Sequence, residues 1–123
     1  GLSYASFSYG RAKLSSKSIK AGDTVTVKVR VKNRSKVDAD EVVQVYVKRL
    51  NDAEAPVKSL KAFQRIHLKA GESKVVTLEL PASSFEYYDS ELDDMTVKSG
   101  KYKILCGSSS SDKDLKARKL RIS

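Results

Sequence analysis

From Thr24 to Lys32 the chain reads Thr-Val-Thr-Val-Lys-Val-Arg-Val-Lys, with apolar and polar residues in strict alternation. Successive side chains of an extended strand point to opposite sides of its pleat. The spacing therefore places Val25, Val27, Val29 and Val31 on one face and Thr26, Lys28, Arg30 and Lys32 on the other. A helix would scatter the same four valines around its circumference. β-Branched valine also suits a pleated, half-buried surface better than a helical one. A lone strand cannot bury its apolar face, so this pattern requires a second layer of structure.

The same period recurs along the chain. Glu41 to Lys48 turns Val43, Val45 and Val47 inward and leaves Val42, Gln44 and Tyr46 on a reverse face apolar enough to need partial cover. Leu60 to Leu68 aligns Leu60, Ala62, Ile66 and Leu68; Lys74 to Leu80 aligns Val76, Leu78 and Leu80; Lys101 to Cys106 aligns Tyr102, Ile104 and Cys106. From Leu115 to Ile122 the apolar parity changes between Ala117 and Leu120, which predicts a bulge. A strand around Phe7 to Leu14 completes the set. Turn chemistry separates the runs at Lys20-Ala21-Gly22-Asp23, Asn33-Arg34-Ser35-Lys36, Lys69-Ala70-Gly71-Glu72 and Lys98-Ser99-Gly100. No segment holds a helical period over three turns. About seven short antiparallel strands predict an all-β sandwich, with a closed barrel as the alternative. The stretch Asn51 to Ser59 is expected to cross between sheets. Pro81 to Ser99 is a longer connection that mixes aromatics with acids.

With 123 residues the chain fits one domain, large enough to bury a real core. No apolar run approaches the roughly 20 residues of a membrane helix, so no membrane partner is expected. No basic-then-apolar signal segment opens the chain either. It starts at Gly1 without a methionine, which we read as a segment cut from a longer chain. Its single cysteine excludes an internal disulfide and any all-cysteine metal site. The net charge of +9, from 24 Lys and Arg against 15 Asp and Glu, suits either an anionic partner or the solvated outer face of a sheet.

Catalysis needs convergent groups, and few are present. His67 is the only histidine. It alternates with Ile66 and Leu68, which predicts exposure rather than service to a nucleophile such as Ser109. Cys106 lies on the apolar parity of its strand and reads as a small buried hydrophobe. Glu86, Asp89, Glu91, Asp93 and Asp94 lack the glycine and ligand spacing of a calcium loop and read as a solvated acidic loop. No metal or other cofactor is expected. Within that loop Tyr87 and Tyr88 point to opposite sides if extended, so that one anchors the loop and the other is free for a partner or a sugar ring. The basic run Lys113, Lys116, Arg118, Lys119 and Arg121 has no interleaved aromatics for single-strand binding, and a charged edge strand explains it. Asn33-Arg34-Ser35 matches a glycosylation acceptor, but asparagine is also simply a good turn residue.

Ordered motifs over nearly the whole chain resemble one family. Gly1-Leu2-Ser3-Tyr4 with Phe7 and Tyr9 is similar to the GLSYxxFxY segment that opens the C-terminal fibronectin type III-like domain of family 3 glycoside hydrolases. Val29-Arg30-Val31-Lys32-Asn33 and then Glu41-Val42-Val43-Gln44-Val45-Tyr46-Val47 resemble its VxVxN…EVVQxYV. Pro56, Lys58, Leu60, Phe63 and Leu68-Lys69-Ala70-Gly71-Glu72-Ser73 resemble its PxxxLxxF…LxxGES, and Gly100-Lys101-Tyr102 with Gly107-Ser108-Ser109 its closing GxY…GxSS. The chain departs from the family at Arg34, Ser35 and Ala39-Asp40, where glycines are common. It also lacks the tryptophan frequent before GxY, with Met95 nearby.

The resemblance implies an immunoglobulin- or fibronectin type III-like sandwich over residues 1–123. It implies a longer parent with catalytic domains upstream: a retaining β-glucosidase or β-xylosidase whose two carboxylates lie outside this segment. No catalytic residue is carried over. The implied role is a non-catalytic structural domain packed on the catalytic domains of the same chain, in a parent that is periplasmic or secreted. Val42, Tyr46, Pro56, Leu60 and Phe63 are the expected docking residues, and Tyr87 and Tyr88 the expected substrate-side loop. The alternatives are a carbohydrate-binding module using exposed tyrosines, and a basic adhesion or nucleic-acid module. Nucleic acid is the partner least expected.

Overall fold

A computed structural model describes residues 6–49, 59–89, 91–97, 100–108 and 115–123. Two facing sheets enclose one core, as the alternation requires. The first is built on β4 (Val25–Asn33), whose inward valines 25, 27, 29 and 31 are all buried. Along one edge β4 pairs antiparallel with β7 (Ser73–Leu80), from Val25 opposite Leu80 to Lys32 opposite Ser73. Its other edge takes β1 (Phe7–Tyr9) and β2 (Lys13–Leu14). The N-terminal strand is therefore two pieces rather than the single run expected from Phe7 to Leu14. Between the Tyr9–Val31 and Lys13–Lys28 pairs, four steps on one strand face three on β4, so the edge bulges around Ala12.

The second sheet has the order β3 (Ser18–Ile19), β11 (Leu115–Ile122), β10 (Gly100–Gly107), β5 (Ala39–Arg49) and β6 (Ser59–Leu68). All its pairings are antiparallel except the short β3–β11 contact. Because β5 and β6 are neighbours, the connection at 50–58 joins strands of one sheet and does not cross between sheets as expected. The chain changes sheets instead at 15–17, at 20–24, at 34–38 between β4 and β5, at 69–72 between β6 and β7, and between β7 and β10. After β7 a 3-10 turn, Ala82–Phe85, leads into a hairpin of β8 (Glu86–Asp89) and β9 (Asp94–Val97).

Two turns share one design. In Lys20-Ala21-Gly22-Asp23 and Lys69-Ala70-Gly71-Glu72 the glycine takes φ of 101° and 76°, where a Cβ would strain the backbone. The acid's amide donates to the lysine carbonyl at 3.1 and 2.9 Å. Its carboxylate accepts from the lysine amide at 3.0 Å in both.

Two parity readings are corrected. β11 pairs with β10 without interruption from Leu115 to Ile122, so no bulge lies there; Leu120 and Ile122 enter the core while Ala117 faces outward. The bulge sits instead between β5 and β6. Val45 faces Ala62 but Tyr46 faces Leu60, leaving Lys61 as the extra residue. That insertion reverses the parity of β6, and Leu60, expected inside with Ala62, is 47% exposed. In the core, Tyr102 and Phe85 meet edge to face, with centroids 5.7 Å apart and planes at 76°. Phe85 thereby anchors this connection.

Candidate docking and binding surfaces

Among the described residues, the groups that suggest chemistry in the sequence do not converge. His67 is exposed, and its Nδ1 lies 2.7 Å from Asp40 Oδ1. Arg65 donates to Asp40 Oδ2 through Nε at 3.0 Å and Nη2 at 2.8 Å. Bonds from His67 first and Arg65 second hold the Asp40 carboxyl below its usual range. Ser109 lies outside the described residues. Cys106 is fully buried, and loss of solvation pushes its thiol up to about 12, the opposite of what a nucleophile needs. Among the described residues no group of His, Cys, Asp or Glu is arranged to hold a metal ion.

Asn33 has a structural task. Its side chain is fully buried at the end of β4. Nδ2 donates to the carbonyls of Val37 at 2.8 Å and Leu68 at 3.1 Å, and Oδ1 accepts from the amide and hydroxyl of Ser35. Its backbone exchanges bonds with the 69–72 turn. One amide thus ties together two of the crossings between the sheets, 34–38 and 69–72. In the folded chain it is closed to a glycosylating enzyme.

Tyr9 and Glu41 meet at the rim between the sheets. Burial, then the nearby carboxylate, raises the Tyr9 hydroxyl far above its usual range, and that oxygen is buried without a hydrogen bond of ordinary geometry. Burial also raises the Glu41 carboxyl.

The reverse face of β5 divides in two. Tyr46 is buried against Leu105 of the adjacent β10 and donates its hydroxyl to Gln44 Oε1. It is therefore part of the packed sheet rather than of an open surface. Beside it Val42, Leu60 and Phe63 remain 37%, 47% and 67% exposed. The β5–β6 bulge is what brings Leu60 to the same side as Phe63, a grouping that strand parity alone denies. Pro56 lies outside the described residues. Tyr87 and Tyr88 belong to β8, opposite Thr96 and Met95, and their side chains lie outside the described positions.

The basic C-terminal run does find company. Arg118 donates from Nε to the carbonyl of Ala12, bridging the open edges of the two sheets. Arg11, Lys13 and Lys17 thereby come beside Lys116, Arg118, Lys119 and Arg121. About a hundred residues separate the two groups in sequence, and nothing in either predicts the other. Lys113 lies outside the described residues.

Comparison with known proteins gives this geometry a context. The family model "Fibronectin type III-like domain" matches residues 41–110. Xylan 1,4-β-xylosidase of Xylanibacter ruminicola is 40% identical over 116 residues, which are 94% of this chain and 13% of that protein. Thermostable β-glucosidase B of Acetivibrio thermocellus is 39% identical over 117 residues, 94% of this chain and 16% of that protein. Among solved structures, the β-glucosidase of Listeria innocua in complex with glucose superposes with a TM-score of 0.86 at 31% identity. That match covers all of this chain and 17% of the enzyme. The GH3 β-glucosidase of Bifidobacterium adolescentis superposes with a TM-score of 0.83 at 35% identity, over 99% of this chain and 18% of its own. The chain thus spans less than a fifth of the length of each of these relatives. It belongs to the fibronectin type III-like domain family, as a domain of the kind that β-glucosidases and β-xylosidases of glycoside hydrolase family 3 carry.

Proposed function

We propose that this domain is a non-catalytic brace. Its β5–β6 face packs on the catalytic domains of a longer chain, a glycosidase that hydrolyses terminal β-linked glucose or xylose. The observation that carries the reading is the exposed trio Val42, Leu60 and Phe63 on one side of a sheet whose other side is the core. Three large apolar side chains gathered on one face are costly to leave in water and are characteristic of a contact surface. A continuation of the same chain supplies the occupant, because the matched relatives are more than five times as long. Shape and stability of the enzyme, rather than chemistry, are what such a contact contributes.

The test uses the full-length protein that carries this domain. Phe63→Lys with Val42→Lys places two cations in the contact and should lower its melting temperature, with activity lost in parallel on heating. Val75→Lys is the control: Val75 is 52% exposed on the outer face of the other sheet and should tolerate the charge. Melting and activity unchanged in the double variant would sink the docking reading.

A further inference from the structure

We propose that the open edge between the two sheets is a binding furrow for a linear, carboxylate-bearing polysaccharide. The furrow lies where β2, the edge of the first sheet, faces β11, near the edge of the second. Its central part has a volume of about 650 Å³ and is lined by Arg11, Lys13, Leu14, Lys17, Ala117, Arg118 and Lys119. It continues at one end past Lys116 and Tyr9, and at the other past Lys101 and Arg121, sharing lining residues at each step. Eight cations border this track, and no Asp or Glu is among its described lining residues.

Fold and charge act together here. Residues two apart on a strand lie on one face about 7 Å from each other, so β11 presents Lys119 and Arg121 on one side and Lys116 and Arg118 on the other. Arg118 is fixed by its bond to Ala12 and keeps the two edges in register. Low-dielectric walls with cations of one sign concentrate the field along the track. An elongated track whose stretches run into one another suits one extended polymer better than the convex surface of a folded protein. Nucleic acid fits less well. Tyr9 is the only aromatic among the described lining residues, and its hydroxyl is turned into the protein, so these residues offer no platform for stacking bases. This surface is remote in kind from the apolar β5–β6 face, and the two readings stand or fall separately.

The test is retention of the 123-residue chain in affinity gels carrying polygalacturonate, neutral xylan, poly-glutamate or single-stranded DNA, at low and at physiological salt. The expected result is binding to polygalacturonate that weakens with salt, and little binding to xylan. Lys17→Glu with Lys119→Glu should weaken it by at least about tenfold, a loss of roughly 1.4 kcal/mol. Lys61→Glu with Lys69→Glu lowers the net charge equally on and just beyond β6, at the far edge of the second sheet, and should leave binding nearly intact. Circular dichroism of both variants checks that each is folded. Equal losses in the two double variants would reduce the furrow to net charge and overturn the site. No retention on polygalacturonate would overturn it as well. Equal or stronger retention on poly-glutamate or DNA would refute the polysaccharide assignment.

Discussion

Replacing Asn33 by alanine removes four hydrogen bonds from one fully buried side chain. The bond to the Leu68 carbonyl is the most deeply buried, and an acceptor stripped of a buried partner costs about 1–3 kcal/mol. The bonds to Val37 and Ser35 are only part-buried, and Ser35 keeps its own hydroxyl bond to Val37 at 3.0 Å. Those losses add about 1 kcal/mol together. The expected destabilisation is therefore about 2–4 kcal/mol. At an unfolding entropy of about 2.1 cal/mol/K per residue, a chain of this size loses about 4 °C of Tm per kcal/mol, so the shift should be about 8–16 °C. Urea unfolding followed by circular dichroism gives the free energy directly, and an unchanged m-value would place the loss in stability rather than in the compactness of either state. Ser35→Ala is the comparison, since it removes only part-buried bonds and should cost less than about 1.5 kcal/mol. If Asn33→Ala destabilises no more than Ser35→Ala, the buried bond to Leu68 is not what holds the crossings together.

Three further outcomes are expected. Cys106 should resist thiol reagents at mildly alkaline pH while the chain is folded and react on unfolding; rapid modification of the native chain, followed with a chromogenic disulfide, would contradict its burial and raised pKa. Glu41 holds its proton more tightly in the folded chain than at its unfolded value of 4.5, so its contribution favours folding below that value and is lost as pH rises through the folded one. Glu41→Gln should accordingly stabilise the chain near neutral pH and flatten that part of the pH dependence; denaturation curves at acidic and neutral pH that move in parallel for both proteins would refute it. Phe85→Ala should cost about 3–5 kcal/mol by opening a cavity beside Tyr102, read from the shift in urea midpoint; a loss under about 1 kcal/mol would mean that the 3-10 turn is not anchored there.

Period-two patterning and turn chemistry are local properties, and they were sufficient for the architecture. Val25 to Val31 could be assigned to the core because a strand's two faces follow from residue spacing alone. The KAGD and KAGE turns were visible as glycines where the backbone needs positive φ. The burial of Cys106 and the exposure of His67 followed from parity in the same way. Motif order then pointed to the family.

Registry between strands is not local, and there sequence reading stopped. One extra residue, Lys61, reverses the parity of β6 against β5, and only the paired geometry shows Leu60 joining Phe63 outside. A change of parity in β11 looked like the same device, yet the pairing there is continuous, because Lys116 and Arg118 take inward-parity positions at an open edge where their charges can reach water. That edge also explains why the cationic furrow was invisible: strands from opposite ends of the chain make it, and their meeting is set by how two sheets stack. The sequence by itself determined an all-β sandwich, its core valines, its turns and its family. Tertiary structure alone decided which apolar residues share an outer face, which cations share a groove, and that Asn33 serves the crossings at 34–38 and 69–72, since each depends on contacts between strands far apart in the chain.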